Sequence, residues 1–406
     1  MREAPPGRAE DVICFSHLRW HFVYQRPQHL LSRCARGRRV FFFEEPVFDS
    51  VEDSHLSSIH DPSGVTVVVP HLRSGLEPAA IEATLRRLLD VLIDTERIQP
   101  GLLWYYTPVA LAFSGHLAPH AIVYDCMDEL SGFAGAPAGL RDAESALLAR
   151  AHLVFTGGHS LYEAKRQRHA NIHPFPSSVD VPHFARGRRR GGPQPDDQAV
   201  IRHPRLGFYG VVDERLDREL IGAAAALRPD WHFVIVGPVV KIDPATLPRA
   251  ANIHYLGSKT YEALPDYLAG WDVALLPFAR NEATRYISPT KTPEYLAGGC
   301  PVVSTSIRDV VHPYGDLGLA RIADDPDAFV AACDAALLDD PVERQRGADA
   351  LLCRMSWDAT WNGMADLIAQ IPRKDCPSCS ITSSLAPVSP APSRPSASRP
   401  APARRC

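Results

Sequence analysis

The sequence lacks the patterns that mark several common classes of protein. No Gly-x-Gly-x-x-Gly loop opens the first half of the chain, which argues against a dinucleotide-dependent oxidoreductase. A nucleophile elbow around a serine or cysteine is also missing. No apolar run approaches the ~18 to 20 residues of a membrane helix, and residues 1–11 lack the apolar core of a signal peptide. We therefore expect a cytoplasmic protein, with at most peripheral contact to the inner face of the plasma membrane.

Regular cysteine spacing is missing too, although the chain has nine cysteines. A disulfide framework is therefore not expected, and a reducing compartment is favoured. Cys376 and Cys379 form an isolated Cys-x-x-Cys pair without the two further ligands of a zinc site, so we interpret them as thiols of a flexible tail. The net charge of -4 implies no general attraction to nucleic acid. We expect neither a metal nor a cofactor.

Apolar runs of strand length alternate with segments of helical periodicity along most of the chain. This alternation predicts parallel sheets covered by helices on both faces. A polar segment rich in glycine, proline and charge, residues 185–199, interrupts the pattern before it restarts. We therefore predict an α/β protein with two doubly wound domains, 1–184 and 200–354, joined by a linker or surface loop at 185–199. The cleft between the domains is the expected ligand site.

Two further segments follow the second predicted domain. Residues 355–372 have helical spacing, with Ser356 as a plausible N-cap and with Trp357 and Trp361 on one apolar face. These tryptophans are expected to pack rather than to stack on a ligand. Residues 373–406 consist largely of Pro, Ser, Ala and Arg, a composition that predicts a disordered tail.

The most informative stretch is residues 281–305, which reads as loop, helix and strand. Lys291 lies where the helix begins, a favourable place for phosphate, with a solvated surface lysine as the alternative. Glu294 lies one turn further, where it could accept hydrogen bonds from sugar hydroxyls or act as a capping carboxylate. Gly298 and Gly299 are typical of a helix end. This combination indicates a nucleotide-sugar site.

Residues 294–303, EYLAGGCPVV, resemble the donor-site segment of group 1 glycosyltransferases of GT-B fold. Lys291, Glu294 and Tyr295 are similar to the same region of a bacterial envelope-polysaccharide subgroup. The retaining branch of the family has an earlier glutamate at the position of Tyr286 here, so retaining and inverting outcomes both stay open. The resemblance implies an acceptor on the first domain, a donor on the second, and a final helix that returns to the first.

Further donor-binding candidates follow from the resemblance and from positions after predicted strands. Gly210 would let the backbone approach a ligand. The resemblance implies that Arg215 contacts the diphosphate, with an ion pair to Asp213 or Glu214 as the alternative, and Lys241 could reach the same phosphates or be solvated. The remaining candidates are Tyr255, Leu256 and Gly257, expected to contact the nucleotide base, and Asn281, Thr284 and Thr290, expected near the donor sugar.

Carboxylates after a strand in the first predicted domain are candidates for deprotonating or orienting an acceptor hydroxyl. Asp128 is preferred to Asp125, which could instead be held in a structural hydrogen bond. His17 follows the first strand and could face the donor or acceptor or be structural. Arg26 lies at a helix start near the same cleft.

Two basic clusters are also present in the sequence. They comprise Arg33, Arg36, Arg38 and Arg39, and the run Arg186 to Arg190. Such runs are usually solvated faces, and the alternative is contact with anionic lipid headgroups.

These features together support the hypothesis of a glycosyltransferase. It would move a hexose-type sugar from a UDP- or GDP-sugar to a glycan or lipid-linked acceptor in cell-envelope polysaccharide biosynthesis. One alternative is a sugar-nucleotide epimerase of GT-B architecture, which would need no acceptor. The other is a non-catalytic sensor or scaffold, which would bind the donor without breaking it down. The identities of the sugar, base and acceptor, the linkage and the oligomeric state stay open.

Overall fold

The computed structural model describes residues 10–189, 191–192 and 194–372. Arg190, the Cys376 and Cys379 pair, and the tail predicted to be disordered from residue 373 lie outside these residues.

The first half of the described chain forms a nine-stranded sheet with the order β3-β5-β2-β1-β6-β7-β8-β9, and β4 pairs with β5. The strands are β1 Asp11–Ser16, β2 Val40–Glu44, β3 Val47–Ser50, β4 His55–His60, β5 Val65–Arg73, β6 Pro100–Tyr105, β7 Ala121–Cys126, β8 Leu153–Thr156 and β9 Ile172–Pro174. Only the β4–β5 pair is antiparallel among the described strands.

Helices cover both faces of this sheet, and the burial of β1 shows why. Val12 and Cys14 belong to one apolar cluster, whereas Ile13 and Phe15 belong to another on the opposite face. A run that is apolar at every position is buried on both sides in this way. The helices of the first half are α1 Arg26–Cys34, α2 Pro78–Glu96, α3 Leu111–Ser114, α4 Leu140–Arg150 and α5 His159–Lys165.

The second half forms a six-stranded parallel sheet within the described residues, with the order β12-β11-β10-β13-β14-β15. Its strands are β10 Arg205–Tyr209, β11 His232–Val236, β12 Ile253–Gly257, β13 Val273–Leu276, β14 Val302–Ser304 and β15 Ala320–Ile322. The helices are α6 Val181–Phe184, α7 Asp196–Ala199, α8 Arg218–Leu227, α9 Leu264–Ala269, α10 Lys291–Ala297, α11 Arg308–Val310, α12 Pro326–Leu337, α13 Pro341–Leu352 and α14 Trp357–Ala369.

In both sheets the strand order switches sides at the first strand, so that later strands are added on either side of it. β1 lies between β2 and β6, and β10 lies between β11 and β13. Loops at such switch points leave a crevice at the carboxyl ends of the strands. The prediction of two doubly wound parallel sheets is therefore confirmed, and the loops after β1 and β10 become the first places to look for a site.

The segment predicted as a linker, residues 185–199, packs in part against the second sheet. The side chain of Gln198 is fully buried, where it accepts a hydrogen bond from Trp271 Nε1 at 2.8 Å and donates one to the Tyr267 carbonyl at 2.9 Å. The polar composition of the segment therefore reflects internal hydrogen bonds as well as exposure to solvent.

Helix α14 packs against the first half of the chain. Ser356 caps it by accepting a hydrogen bond from the Ala359 N–H at 3.0 Å. The Trp357 ring stacks on His29 with a centroid separation of 4.4 Å, and Trp361 lies 6.3 Å from Trp104. Both tryptophans therefore pack against protein groups, and α14 covers one face of the first sheet.

The basic clusters are largely paired within the chain. Asp358 pairs with Arg33 at 2.8 Å and with Arg36 at 3.4 Å, and Arg39 pairs with Asp11. In the second cluster Arg186 pairs with Asp266 and Arg188 with Asp349. This pairing weakens the expectation of an anionic lipid partner. Over the described residues, no helix combines the length and apolar character needed to cross a bilayer, and the cytoplasmic location stays a prediction.

A buried ion pair connects α1 to the end of β7. Arg26 Nη2 lies 2.8 Å from Asp125 Oδ1, and the two side chains are 1% and 0% exposed. Arg26 Nε also donates to both carboxylate oxygens, and Arg26 Nη1 donates to the Phe175 carbonyl at 2.7 Å. Asp125 was a candidate for chemistry, but its oxygens are occupied and inaccessible. The structure therefore supports the alternative given for Asp125, a structural role, here through its hydrogen bonds with Arg26.

Replacing Asp125 by asparagine should leave the Arg26 guanidinium buried without a full counter-charge. The free energy of unfolding, measured by urea denaturation, should fall by about 3–5 kcal/mol. Arg36→Ala is the control, because its pair with Asp358 is exposed and should contribute less than about 1 kcal/mol. Equal, small losses in the two variants would contradict the structural role of the buried pair.

Candidate active site

A cleft of about 570 Å³ lies at the carboxyl ends of strands from both sheets. From the first half it is lined by residues 20–26, which follow β1, and by Asp128, which follows β7. From the second half it is lined by residues after β10 and β12 and by the start of α10. The structure thus brings together chemically active groups that are far apart in the sequence.

Lys291 enters this cleft by passing over Gly210. A Cβ atom at residue 210 would lie 2.3 Å from Lys291 Cε and 3.0 Å from its Nζ, so a side chain there would displace the end of the lysine. Gly210 also has φ +144°, which side chains disfavour. Burial lowers the pKa of Lys291, and Arg215 adds to this effect while Glu294 opposes it. An anionic ligand in the cleft would favour the charged form of Lys291, which burial disfavours.

Glu294 lines the same cleft and is 8% exposed. Its Oε2 accepts a hydrogen bond from the Tyr209 hydroxyl at 2.7 Å, and the Tyr209 N–H donates to the Tyr295 hydroxyl at 3.0 Å. Burial raises the pKa of Glu294 to about 7, although Tyr209 and Lys291 both oppose the shift. Tyr209 therefore orients Glu294, and Tyr295 holds the Tyr209 backbone. Sequence reasoning missed this role, although Tyr209 directly precedes Gly210.

Arg215 both pairs with Asp213 and faces the cleft. Its Nη2 lies 2.7 Å from Asp213 Oδ2, and its Nε donates to Asp213 Oδ1 at 3.0 Å. The guanidinium lies 5.5 Å from the centroid of the Phe133 ring, which comes from the first half of the chain. The ion pair that was the alternative for Arg215 is thus present, and it fixes the guanidinium at the cleft wall.

Asp128 is half-buried at the opposite wall. Burial raises the pKa of Asp128 to about 6, even though the cations Arg215, Lys291 and Arg26 lower it. At neutral pH the carboxylate is therefore mostly ionised and close to its protonation midpoint. A carboxylate in this state is well suited to accept a proton.

His17 and Lys241 do not line the cleft within the described residues. His17 Nδ1 is buried without a hydrogen-bond partner, and burial followed by the charge of Lys241 lowers the pKa of His17 to about 4. Lys241 is exposed, with φ +60°, and its Nζ lies 6.0 Å from the Phe133 ring centroid. His17 is neutral at pH 7, and the geometry gives neither residue direct contact with a ligand in the cleft.

The residues predicted to hold the nucleotide base, Tyr255, Leu256 and Gly257, precede the part of the chain that lines the cleft. Tyr255, Leu256 and Gly257 do not line the cleft as described; the Tyr255 hydroxyl donates to the Pro248 carbonyl at 3.1 Å, and the Gly257 carbonyl accepts from Gly237. Strand β12 continues through Gly257, so the cleft is reached only afterwards, by residues 258–262.

Asn281 and Thr284 shape the loop rather than the cleft wall. Asn281 Nδ2 donates to the Glu214 carbonyl at 3.2 Å, and Asn281 Oδ1 accepts from the Thr284 N–H at 3.1 Å. Thr290, which was placed in the same group, does line the cleft. Tyr286 packs beside the apolar cluster of the first half, so the position where the retaining branch has a glutamate serves packing here.

Sequence reasoning also missed an aromatic wall. Trp20, Phe22 and Tyr24 follow β1 and line the cleft, and Phe22 and Tyr24 are 48% and 42% exposed. Tyr24 stacks on Tyr261 at 4.6 Å, which joins the walls of the two halves. The signal was available as an aromatic-rich loop after the first strand.

Residues 203–339 match the family model described as glycosyl transferases group 1. The match covers the second sheet, and the two doubly wound sheets together have the GT-B fold.

The chain is also similar to a curated protein and to solved structures. A putative teichuronic acid biosynthesis glycosyltransferase, TuaH of Bacillus subtilis (strain 168), is 25% identical over 261 residues, which is 58% of this chain and 63% of that protein. A solved trehalose-6-phosphate protein of E. coli bound with UDP-2-fluoro glucose has a TM-score of 0.66 at 12% identity, covering 90% of this chain and all of the other. HepE of Anabaena, solved with UDP and glucose, has a TM-score of 0.63 at 14% identity, covering 88% and 99%.

The raised pKa of Glu294 makes stability depend on pH in a defined direction. The folded state holds this proton more tightly than the unfolded state, whose value is near 4.5. The stabilisation is therefore complete below pH 4.5 and is lost as the pH rises through about 7. The side chain of Glu294→Gln cannot ionise. Between pH 5 and pH 8, the free energy of unfolding of this variant should therefore rise relative to that of the wild type by up to about 3 kcal/mol.

The measurement is urea denaturation of both proteins at the two pH values. Glu282→Gln serves as the control, because its side chain is 74% exposed and its substitution should leave the pH dependence unchanged. A difference between the wild type and Glu294→Gln that does not vary with pH would show that Glu294 ionises normally.

Proposed function

We propose that the protein transfers a hexose-type sugar from a UDP- or GDP-sugar to a glycan or lipid-linked acceptor in envelope polysaccharide biosynthesis. The observation that carries this proposal is the meeting of Lys291, Arg215, Glu294 and Asp128 at one cleft. Two cations, a hydrogen-bonding carboxylate and a carboxylate poised near neutrality are the groups that sugar transfer from a diphosphate requires.

The two cations serve the leaving group. Lys291 and Arg215 stabilise the negative charge that grows on the diphosphate as the sugar–oxygen bond breaks. Arg215 is held in place by Asp213, so its charge is oriented before the donor arrives. In this proposal no metal is needed for charge neutralisation. The nucleotide-bound states of the similar solved structures support a nucleotide at this cleft.

Glu294 and its tyrosine partner serve the donor's hydroxyl groups. The carboxylate accepts hydrogen bonds from ribose or sugar hydroxyls, while Tyr209 keeps it oriented at 2.7 Å. Residues 258–262, which line the cleft after β12, are then placed to contact the base.

The first half of the chain serves the acceptor. Exposed aromatic faces at Phe22 and Tyr24 can stack on a sugar ring or an apolar carrier. Asp128 on the same side accepts the proton of the acceptor hydroxyl, or orients that hydroxyl while the donor phosphate accepts the proton. The similarity to a teichuronic acid biosynthesis protein supports an envelope polysaccharide as the destination.

A thermal-shift screen of UDP- and GDP-sugars tests the donor site. One donor should raise the melting temperature of the wild type and of Lys241→Ala, whose lysine is exposed outside the cleft. It should fail to stabilise Lys291→Ala, because the half-buried cation facing the diphosphate is lost. The stabilisation should persist in EDTA. Equal binding by Lys291→Ala would refute the assignment of this site.

Nucleotide release from the donor that passes this screen tests the chemistry. Asp128→Asn should lower kcat by about 10²–10⁴-fold, the usual contribution of a general base, while donor affinity stays near that of the wild type. In the wild type, kcat/KM should fall below pH 6, because the carboxylate becomes protonated there. Donor binding without nucleotide release by the wild type would instead indicate a sensor, and an unaffected Asp128→Asn would remove Asp128 from the chemistry.

A further inference from the structure

We propose that Lys165 is a positioning residue for Asp128 and that it acts through Glu129. The inference rests on the proposed function, since it concerns how the carboxylate at the acceptor side is held in place. It starts from a buried cation that the transfer chemistry does not otherwise use.

Lys165, the last residue of α5, is 2% exposed. Its Nζ lies 2.7 Å from Glu129 Oε2 and 2.6 Å from Glu144 Oε1. Glu144 belongs to α4, and Glu129 directly follows Asp128 in the loop after β7. The ammonium therefore connects two helices to the peptide segment that carries Asp128.

Other contacts fix the same short segment. Glu129 Oε1 accepts a hydrogen bond from the Ser131 hydroxyl at 2.7 Å, and the Cys126 thiol donates to the Asp128 carbonyl at 3.5 Å. The Gly157 N–H donates to the Cys126 carbonyl at 2.9 Å, and a Cβ at residue 157 would lie 2.7 Å from the Met127 carbonyl oxygen. The backbone on both sides of Asp128 thus has little freedom. Lys165 restrains the side that follows Asp128, through its ion pair with Glu129.

The charges of this network balance. Glu129 and Glu144 face Lys165 and Arg168, and the Tyr124 hydroxyl donates to Glu144 at 3.0 Å. Buried ion pairs are a weak source of stability, because well-packed apolar residues often do as well. What the network supplies is a fixed direction for Glu129, and hence for the residue before it.

The expected effect is on the rate rather than on donor binding. The donor groups Lys291, Glu294 and Gly210 lie in the second half of the chain and make no contact with Lys165 in the described structure. A displacement of Asp128 by about 1 Å is sufficient to lower a rate by about 10²-fold. Loss of the Lys165 anchor should therefore reduce kcat and leave the affinity for the donor unchanged.

The test compares Lys165→Met and Glu129→Gln with Arg166→Met, a matched control at the C-cap residue of α5, whose pair with Glu163 is exposed. Release of UDP from UDP-glucose should fall about 10–100-fold in kcat for the first two variants, with KM and Kd within about threefold of the wild type. Both variants remove the same Lys165–Glu129 ion pair. The kcat of the double variant should therefore be little lower than that of the more impaired single variant.

Hydrogen exchange of the peptide segment 126–130 is measured on the same proteins, and it reads the position of Asp128 without turnover. Faster exchange confined to this segment in Lys165→Met or Glu129→Gln supports the proposal. Exchange and kcat equal to those of Arg166→Met in folded variants overturn it. If Lys165→Met does not fold, the result for Glu129→Gln alone tests the proposal. In that variant Lys165 still has its buried ion pair with Glu144. A wild type that releases no nucleotide from any UDP- or GDP-sugar of the thermal-shift screen, combined with the local exchange change, would reject the proposed function but keep the positioning role.

Discussion

The passage of Lys291 over Gly210 is the contact on which the site depends. A side chain at residue 210 would overlap the lysine stem, and a Cβ at Gly237 would lie 1.8 Å from the Gly210 carbonyl oxygen. Two glycines at the ends of neighbouring strands thus open the space that the cation fills. The same confinement disfavours ionisation of Lys291, Glu294 and Asp128 alike, because each charge has exchanged water for a crowded interior.

The two halves of the chain contribute different chemistry to this space. The second half supplies cations and the carboxylate Glu294, each supported by a neighbour such as Tyr209 or Asp213. The first half supplies aromatic faces and Asp128. The stack of Tyr24 on Tyr261 shows that the walls meet directly. The cleft is therefore lined from two sides, and neither half alone surrounds it.

Several local features could be predicted because they depend on neighbours in the chain. Helix α10 begins at Lys291 and ends before Gly298 and Gly299, where the positive φ of Gly299 closes it. The residues that reach the cleft were harder to predict, since β12 ends at Gly257 and the cleft is lined by residues 258–262 that follow it. Lys241 was predicted to reach the cleft but does not line it. Its backbone is left-handed, and the composition of the segment does not reveal that conformation.

The sequence by itself determined the two parallel sheets, the polar interruption between them and the helix that carries Lys291 and Glu294. These follow from periodicity, turn residues and capping, which act over a few residues. Only the tertiary structure decided that Arg26 meets Asp125, 99 positions away, that Lys165 holds Glu129, and that Tyr209 holds Glu294. Such partners depend on strand register and helix packing, because a shift of one residue turns a side chain to the opposite face of a sheet.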